Sequence, residues 1–277
     1  MPCDAQMTQF TPDEIQRYKR HLVLKEVGGA GQQRLAAARV LVVGAGGLGS
    51  PILMYLAAAG VGTIGVIDDD RVSLSNLQRQ IVHRTANVGV LKVESAEAML
   101  ADLNPHVAIE ALPERLTAAN ALEIIGRYDI VTDGSDNFAT RYLVSDACAL
   151  AKKTLVFAAV GPFDGQITTL KPYEIAADGK PYPTYRCLFP SAPPDGTVAN
   201  CSQVGVMGAT VGVLGTLAAV EIIKEILGIG DSLAGRLLIY DGLGTRFETI
   251  TYAWDPDNPV TGTHPAIRDL SGHAALT

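Results

Sequence analysis

The sequence has few cysteines, and none of the four stands in a CxxC pair. Disulfides are not expected in a reducing compartment, and the N-terminus has no signal-peptide core, so the sequence predicts a cytoplasmic protein. An excess of basic residues is also missing, because the formal net charge is −7. The composition therefore gives no support to nucleic-acid binding.

Long hydrophobic runs are scarce. The main exception covers residues 204–220, a stretch without charged side chains that approaches the lower length limit of a membrane-spanning helix. Charged residues follow it at once, and no basic flank orients it. We therefore predict a helix buried in the core or in a subunit interface and no contact with a membrane. A membrane span is the alternative.

From residue 39 onward, short β-branched apolar runs alternate with helical patterns. This alternation predicts an α/β fold, a Rossmann-like doubly wound and mainly parallel sheet followed by antiparallel C-terminal strands. The predicted strands cover residues 39–43, 63–68, 107–112, 128–133, 154–159, 165–173, 235–241 and 246–252. Helices are predicted over 48–59, 89–103, 117–126, 139–152 and 203–228.

We expect the 277 residues to form a single domain. Its parts are an N-terminal helical arm (about 10–38), a nucleotide-binding part (39–160), a proline-rich crossover loop (171–200), a C-terminal part (203–252) and a polar tail (253–277). The arm is predicted to be an amphipathic helix that begins at Thr11, with acidic residues in its first turn. The crossover loop is expected to be held by packing alone.

Three glycines after the first predicted strand, Gly44, Gly46 and Gly49, fit the dinucleotide-binding fingerprint. Asp68, at the end of the next strand, could accept hydrogen bonds from ribose hydroxyls. Backbone amides in such a turn can approach a phosphate closely. By itself the motif also fits a tight turn that binds nothing. It equally fits an NAD-dependent oxidoreductase.

The stretch DDDRVSLSNLQRQ favours a triphosphate over a nicotinamide cofactor. It places Asn76, Arg79 and Gln80 beside the end of the Asp68 strand, and Lys92 follows. Hydride transfer does not need such a cluster, whereas the charge of a triphosphate does. No GxxxxGK[ST] loop is present. Asp133 and Asp136 end a further strand and suit Mg²⁺ held through phosphates and water. For Asp133, an Asx-rich turn before the next helix is the alternative.

The motifs RYKRHL, GAGGLGS, DDDRVSLSNLQRQ, DGSDN, GQIT, YRCLFP and NCSQVGVMG stand in an order that resembles the ubiquitin-activating-enzyme-like family. Across about residues 10–252 the chain is similar to bacterial adenylyltransferases of the MoeB/ThiF type. The resemblance implies that ATP adenylates the C-terminal glycine carboxylate of a ubiquitin-like sulfur carrier with a Gly-Gly terminus, releasing pyrophosphate. The carrier would belong to the molybdopterin-synthase or thiamine type. A homodimer and carrier docking on residues 203–252 are also implied.

The resemblance also implies roles for particular residues. Those that bind the nucleotide are Gly44, Gly46, Gly47, Gly49, Asp68, Asp70, Ser75, Asn76, Arg79, Lys92, Asp136 and Asn137. Asp136 would hold Mg²⁺ together with ATP. The catalytic set would be Arg20, reaching the site of the partner subunit, with Arg79, Lys92, Asp136 and the thiol of Cys201, which takes part in sulfur or acyl transfer in some relatives.

One departure concerns zinc. Relatives of this type often hold a structural zinc with two CxxC pairs, but here the first pair has become Thr184 and Cys187, and residues 253–277 contain no cysteine. A structural zinc site needs four ligands, so we predict none. The chain also ends soon after Tyr252, without room for a sulfurtransferase domain, so we expect a separate sulfur donor.

Three alternatives to carrier adenylation stay open. The first is an NAD-dependent oxidoreductase, which leaves Asn76, Arg79, Lys92 and Asp136 without a role. The second is a family member that adenylates another small carboxylate or acts on a tRNA base. The third is a carrier-binding scaffold without catalytic activity.

Overall fold

A single sheet organises the protein. The computed structural model describes residues 10–192 and 205–276, with side chains up to His273. Within these ranges the strand order is β3-β2-β1-β4-β5-β6-β7-β8, where β1 to β5 run parallel and β6 to β8 join antiparallel. The strands are β1 (Arg39–Val43), β2 (Thr63–Ile67), β3 (Ala108–Leu112), β4 (Ile130–Asp133), β5 (Thr154–Val160), β6 (Asp164–Leu170), β7 (Arg236–Asp241) and β8 (Arg246–Thr251). The predicted fold class is confirmed.

The helices follow the predicted pattern with small shifts at their ends. They are α1 (Pro12–Arg17), α2 (Lys19–Leu22), α3 (Gly28–Ala37), α4 (Gly49–Ala59), α5 (Lys92–Leu103), α6 (Ala121–Gly126), α7 (Phe138–Ala151), α8 (Tyr185–Leu188) and α9 (Gly208–Leu227). Short 3₁₀ turns occupy Leu74–Asn76, Thr85–Asn87 and Ser271–Leu276. α6 begins four residues after its predicted position because Asn120 accepts hydrogen bonds from Thr117 in a turn before it, and α9 begins five residues after its predicted position.

Helices cover both faces of the sheet at its centre, whereas β8 at its edge is exposed along its whole length. Along β1 the buried side chains alternate, with Val40 and Val42 in the cluster that packs on α4, α5 and α9, and Leu41 and Val43 in the cluster that packs on α6 and α7. A strand buried on both faces reads as a continuous apolar run, which is how β1 appears in the sequence. This two-sided burial is the physical basis of the doubly wound arrangement.

The parallel register brings three loops to one edge of the sheet. Val43, the last residue of β1, pairs with Ile67 at the end of β2 and with Asp133 at the end of β4. The chain leaves all three strands at the same level, so the glycine turn, the acidic run after β2 and the loop after β4 meet there. This edge is where ligands of such sheets bind.

The N-terminal arm is not the single helix that the sequence predicted. It breaks at Tyr18 into α1 and α2. The N-terminus of α1 is capped by a capping box between Thr11 and Glu14. Tyr18 is buried, and its hydroxyl accepts a hydrogen bond from Asn104 at 2.9 Å. The helix breaks so that this ring can be buried beside α4 and the end of α5.

The long apolar segment forms α9, which packs on the sheet and on α4 with Val211, Leu214 and Ile222 fully buried or nearly so. Among the helices that the structure describes, none has the combination of length and hydropathy that spanning a bilayer requires. The charged last turns of α9 include Glu221 and Lys224, which form an ion pair.

The expectation that the proline-rich loop is held by packing alone is wrong for its described part, residues 171–192. Thr184 caps the one-turn helix α8. Arg186 on α8 forms a bidentate ion pair with Asp146 of α7. The sequence pattern missed the ion pair because it joins residues that are 40 positions apart in the chain.

Candidate functional site

The turn between β1 and α4 is built for close approach of a ligand. Gly44 has φ of +92°, a left-handed conformation that favours glycine. A Cβ on Gly49 would lie 2.0 Å from the carbonyl oxygen of Gly44, so no side chain fits there. The turn leads into α4, and the dipole of that helix favours an anion at this end.

Asp68 ties this turn to the second strand. Its Oδ2 accepts a hydrogen bond from the backbone N–H of Ala45 at 2.9 Å, and its Oδ1 accepts one from the N–H of Asp70 at 2.8 Å. The ammonium of Lys92, the first residue of α5, lies 2.6 Å from Asp70 Oδ2 and 3.7 Å from Asp68 Oδ2. The side chain of Lys92 is only 8% exposed. A buried cation therefore lies beside the glycine turn.

A second cation approaches from the 3₁₀ turn after β2. A Cβ on Gly47 would lie 3.6 Å from Cγ of Arg79, which places this arginine against the glycine turn. Arg79 Nη1 donates to the carbonyl oxygen of Ser75 at 3.2 Å. Beside it, Gln80 is buried, and its Oε1 has no hydrogen-bond partner among the described residues.

The loop after β4 supplies carboxylates of two kinds. Asp133 is buried and accepts a hydrogen bond from the N–H of Ser135, so it forms an Asx turn, and burial raises the pKa of its carboxyl group. Asp133 is therefore better explained as part of an Asx-rich turn before α7 than as a ligand of Mg²⁺. Asn137 is the N-cap of α7 and accepts a hydrogen bond from Thr140 N–H at 2.8 Å. Asp136 between them is exposed, with no ion pair or hydrogen bond to the described residues.

These groups surround a pocket of about 300 Å³ at the carboxyl edge of the sheet. That volume is within the range of small-molecule sites. Its lining includes Gly44, Gly46, Gly47, Asp68, Asp70, Arg79, Lys92, Asp136 and Asn137 from the residues singled out in the sequence. Gln80, which the sequence places in the cluster beside Asp68, lines it too, and so do residues that the sequence analysis did not assign to the site, among them Glu114, Leu116, Arg141 and His273.

The other predicted site residues lie elsewhere. Gly49 is buried behind the turn, Ser75 is exposed, and Asn76 uses its side-chain oxygen to accept a hydrogen bond from Ser73 N–H at 3.1 Å. Arg20 is exposed on α2 and does not line the pocket of its own chain. Cys201 lies outside the described residues, as does Cys3. Cys148 is buried in α7, as predicted, and burial raises the pKa of its thiol.

His83 is a buried residue that connects α5 to the glycine turn. The carbonyl oxygen of Ala45 can only accept, so Nε2 of His83 donates to it at 2.9 Å, and Nδ1 accepts from the hydroxyl of Ser95 at 3.0 Å. Burial lowers the pKa of His83, and the nearby charge of Lys92 acts in the same direction, which favours the neutral imidazole that this pair of hydrogen bonds requires. The sequence contained no signal for this role, because the three partners are not regularly spaced.

The side chains around Cys187 do not make a donor set that fits zinc. Asn258 Nδ2 donates to Thr184 Oγ1 at 2.7 Å and lies 3.2 Å from Cys187 Sγ, and Asn258 Oδ1 accepts from the backbone N–H groups of Val260 and Thr261. A hydroxyl and an amide stand where zinc prefers thiolates or imidazoles. Hydrogen bonds thus join α8 to the tail.

Comparison with known proteins accounts for this combination of a Rossmann-like sheet with cations around a glycine turn. The model of the ThiF family matches residues 18–260. This chain belongs to the ThiF family. The resemblance drawn from the motifs is therefore confirmed, and it extends across all eight strands of the described sheet.

Two curated relatives of this ThiF-family chain cover nearly its whole length. The sulfur carrier protein adenylyltransferase of Thermus thermophilus is 49% identical over 268 residues, which is 97% of this chain and 98% of the relative. The SAMP-activating enzyme E1 of Haloferax volcanii is 49% identical over 249 residues, covering 90% and 89%. Among solved structures, E. coli MccB with ATP superposes with a TM-score of 0.76 at 20% identity over 88% of this chain and 74% of MccB. At that identity the likeness shows the fold alone.

Proposed function

We propose that this protein is an ATP-dependent adenylyltransferase that activates the C-terminal glycine carboxylate of a small ubiquitin-like sulfur carrier. The product would be a carrier acyl-adenylate, with release of pyrophosphate. The observation that carries the proposal is the placement of buried Lys92 beside the glycine turn, with Arg79 against the same turn. The names of the two relatives support the nature of the substrate.

The pocket has the charge distribution that a triphosphate needs. Lys92, Arg79 and the glycine turn all line it. Charge develops on the phosphates as the α-phosphorus is attacked, and positive groups fixed in a partly dry site stabilise that charge without reorganising. Lys92 is already held by Asp68 and Asp70, so its position is set before ATP arrives.

Asp136 is the residue that fits a magnesium ion. Its carboxylate is exposed in the pocket and has no ion pair with the described residues, whereas Asp70 is already paired with Lys92. Asp68, Asp69 and Asp70 also bring three carboxylates together, but Lys92 pairs with the first and the third, and Arg115 pairs with the second. Mg²⁺ bound with ATP would neutralise charge on the phosphates that leave as pyrophosphate.

The reaction needs no nucleophile from the enzyme. A carboxylate oxygen of the carrier attacks the α-phosphorus in line, the bond between that phosphorus and the pyrophosphate oxygen breaks, and pyrophosphate leaves with the electron pair. The chain contributes positioning and charge: the glycine turn and Asp68 set the nucleotide's place, and Arg79 with Lys92 stabilise the phosphates.

Several partners belong to this proposal. The carrier would present a flexible Gly-Gly terminus and dock on residues 203–252. The protein would act as a homodimer in which Arg20, from the RYKR motif, reaches the phosphates of the partner subunit. The position of Arg20 leaves room for this, since it is exposed and does not line the pocket of its own chain. Sulfur would come from a separate donor, and Cys201 would act after adenylation, so Cys201→Ala should keep pyrophosphate exchange.

ATP–pyrophosphate exchange tests the proposal. Purified protein is incubated with ATP, Mg²⁺, labelled pyrophosphate and each candidate carrier ending in Gly-Gly. We expect exchange that depends on the carrier and that Asp136→Ala abolishes while the fold is kept. Asp102→Ala is the matched control, since Asp102 is an exposed carboxylate on α5 outside the pocket.

Binding of NAD in place of ATP, with no exchange for any carrier, would contradict the proposal and favour the oxidoreductase. Exchange driven by a free small carboxylate but by no carrier would favour the other adenylating reaction. Unchanged exchange in Asp136→Ala would remove Asp136 from the mechanism.

A further inference from the structure

The glycine turn depends on contacts from outside to keep one conformation. Glycine adopts both signs of φ readily, so a turn rich in glycine does not fix its own shape. Within this turn Gly44, Gly46 and Gly47 line the pocket, whereas Ala45 is completely buried and does not line it. Because Ala45 stands between two residues that line the pocket, whatever fixes Ala45 also fixes the part of the turn that a ligand meets.

Both backbone groups of Ala45 are bonded to buried side chains. Its N–H donates to Asp68 Oδ2 at 2.9 Å, and its carbonyl oxygen accepts from His83 Nε2 at 2.9 Å. The side chain of Asp68 is 9% exposed, and His83 is buried. The turn is therefore held from behind by one carboxylate and one imidazole, which come from different segments of the chain.

His83 is itself fixed from α5. Its Nδ1 accepts a hydrogen bond from the hydroxyl of Ser95, which is buried one turn after Lys92 on the same helix. The ammonium of Lys92 lies 3.7 Å from Asp68 Oδ2, the atom that binds Ala45. The contacts thus form a closed circuit, which sets the position of the glycine turn relative to the buried cation.

His83 does not line the pocket, so it can act on a ligand there only through the turn. The charged groups that face its ring are Lys92 and Asp68, and both already belong to the circuit. Without His83 the carbonyl of Ala45 and the hydroxyl of Ser95 lose their partners, and one of the two anchors of the turn is gone. A displacement of about 1 Å in a reacting geometry costs about 10²-fold in rate.

We propose that His83 is a positioning residue for adenylation. Its hydrogen bonds to Ala45 and Ser95 hold the glycine turn in place relative to Lys92, so that the α-phosphorus of ATP meets the carrier carboxylate in line. This inference rests on the proposed function, since it assumes that the pocket adenylates a carrier. A residue of this kind governs the geometry of the transition state, so its loss lowers kcat more than it weakens ATP binding.

Two substitutions test this role. His83→Leu keeps an apolar side chain of similar size and removes both hydrogen bonds, whereas the amide of His83→Gln can still donate to Ala45. We measure the kcat of ATP–pyrophosphate exchange with saturating carrier, and the dissociation constant of ATP alone. We expect His83→Leu to lower kcat by about 10²-fold and to weaken ATP by less than about 3-fold. His83→Gln should be at least about 10-fold faster than His83→Leu.

Tyr128→Phe is the matched control for lost stability. Tyr128 is completely buried, and its hydroxyl donates to Glu110 near the start of β4, at the edge of the sheet opposite the pocket. The substitution removes a hydrogen bond of a buried ring without touching the glycine turn. We expect it to lower the melting temperature and to leave exchange unchanged.

Ser95→Ala connects the effect to the circuit. Alone it should lower kcat, because the ring of His83 loses the donor that fixes its orientation. In the His83→Leu background it should lower kcat no further, since residues that act through one contact are not additive. Should His83→Leu fail to fold, Ser95→Ala and His83→Gln still decide the question.

A folded His83→Leu with the kcat of the wild type overturns the inference, and so does a Ser95→Ala variant with unchanged kcat. Equal losses in His83→Leu and His83→Gln also overturn it, because the bond to Ala45 would then not matter. A wild-type protein that shows no exchange with any carrier refutes the proposed function and this inference with it. Exchange in the wild type with no effect of the variants refutes the inference alone.

Discussion

Replacing Lys92 with methionine separates the structural role of this residue from its chemical one. Methionine keeps most of the side-chain volume and removes the ammonium. The ammonium lies 2.6 Å from Asp70 and 3.7 Å from Asp68, and the side chains of Lys92 and Asp68 are 8% and 9% exposed. The variant therefore leaves a buried carboxylate at Asp68 with only backbone N–H partners.

The size of the effect follows from this burial. Breaking a fully buried ion pair costs about 3–5 kcal/mol, and an exposed pair is worth about 0–1 kcal/mol. Asp70 is 64% exposed, so the loss should lie between these limits, at about 2 kcal/mol of unfolding free energy. In a protein of this size that lowers the melting temperature by about 5 °C. Pyrophosphate exchange should fall much further, by about 10²–10³-fold, because a cation that stabilises transition-state charge is gone.

The double variant Lys92→Met with Asp70→Asn decides between the two roles. Removing Asp70 as well takes away one of the uncompensated carboxylates, so thermal or denaturant unfolding should recover about 1 kcal/mol. Exchange should stay low, because no cation returns. Lys180→Met, at an exposed lysine, is the control. If the double variant regained exchange together with stability, Lys92 would be a structural residue and our assignment of it to the phosphates would be wrong.

Three further predictions concern other parts of the molecule. Burial lowers the pKa of His83 below its ordinary value of 6.5, so the unfolded chain binds its proton first as the pH falls. Stability should therefore drop below about pH 6.5, and urea titrations should show a weaker drop in His83→Gln. Asn258→Ala breaks four hydrogen bonds of a buried side chain and should lower the free energy of unfolding by about 2–3 kcal/mol. Metal analysis of tag-free protein should find no stoichiometric zinc, and one zinc per chain would contradict this. Mixing inactive Arg20→Ala with inactive Asp136→Ala subunits should restore part of the exchange, since one mixed dimer site is complete; no recovery after verified subunit exchange would place Arg20 outside the partner's site.

Local signals in the sequence were enough to predict the sheet and the part of the pocket formed by the glycine turn and the cluster around Arg79. The alternation of apolar runs with helical patterns predicts the parallel strands, because each strand must be buried on both faces by the helices that follow it. The glycine turn and the cluster around Arg79 lie within a short stretch, and strand ends in a parallel sheet meet at one edge. The position of Arg79 beside the glycine turn was therefore predictable without coordinates.

The tertiary structure alone decided the rest of the site. His273 and Asp146 are 127 positions apart, and Asn258 lies 74 positions from Thr184. Neither contact belongs to a periodic pattern, and the tail in which His273 and Asn258 stand is polar and irregular. Nothing in the sequence specifies which face of α7 or which turn of α8 such a segment will meet. That choice depends on how Leu270 and its neighbours fill the cluster beside α7, a packing result that only the folded chain expresses.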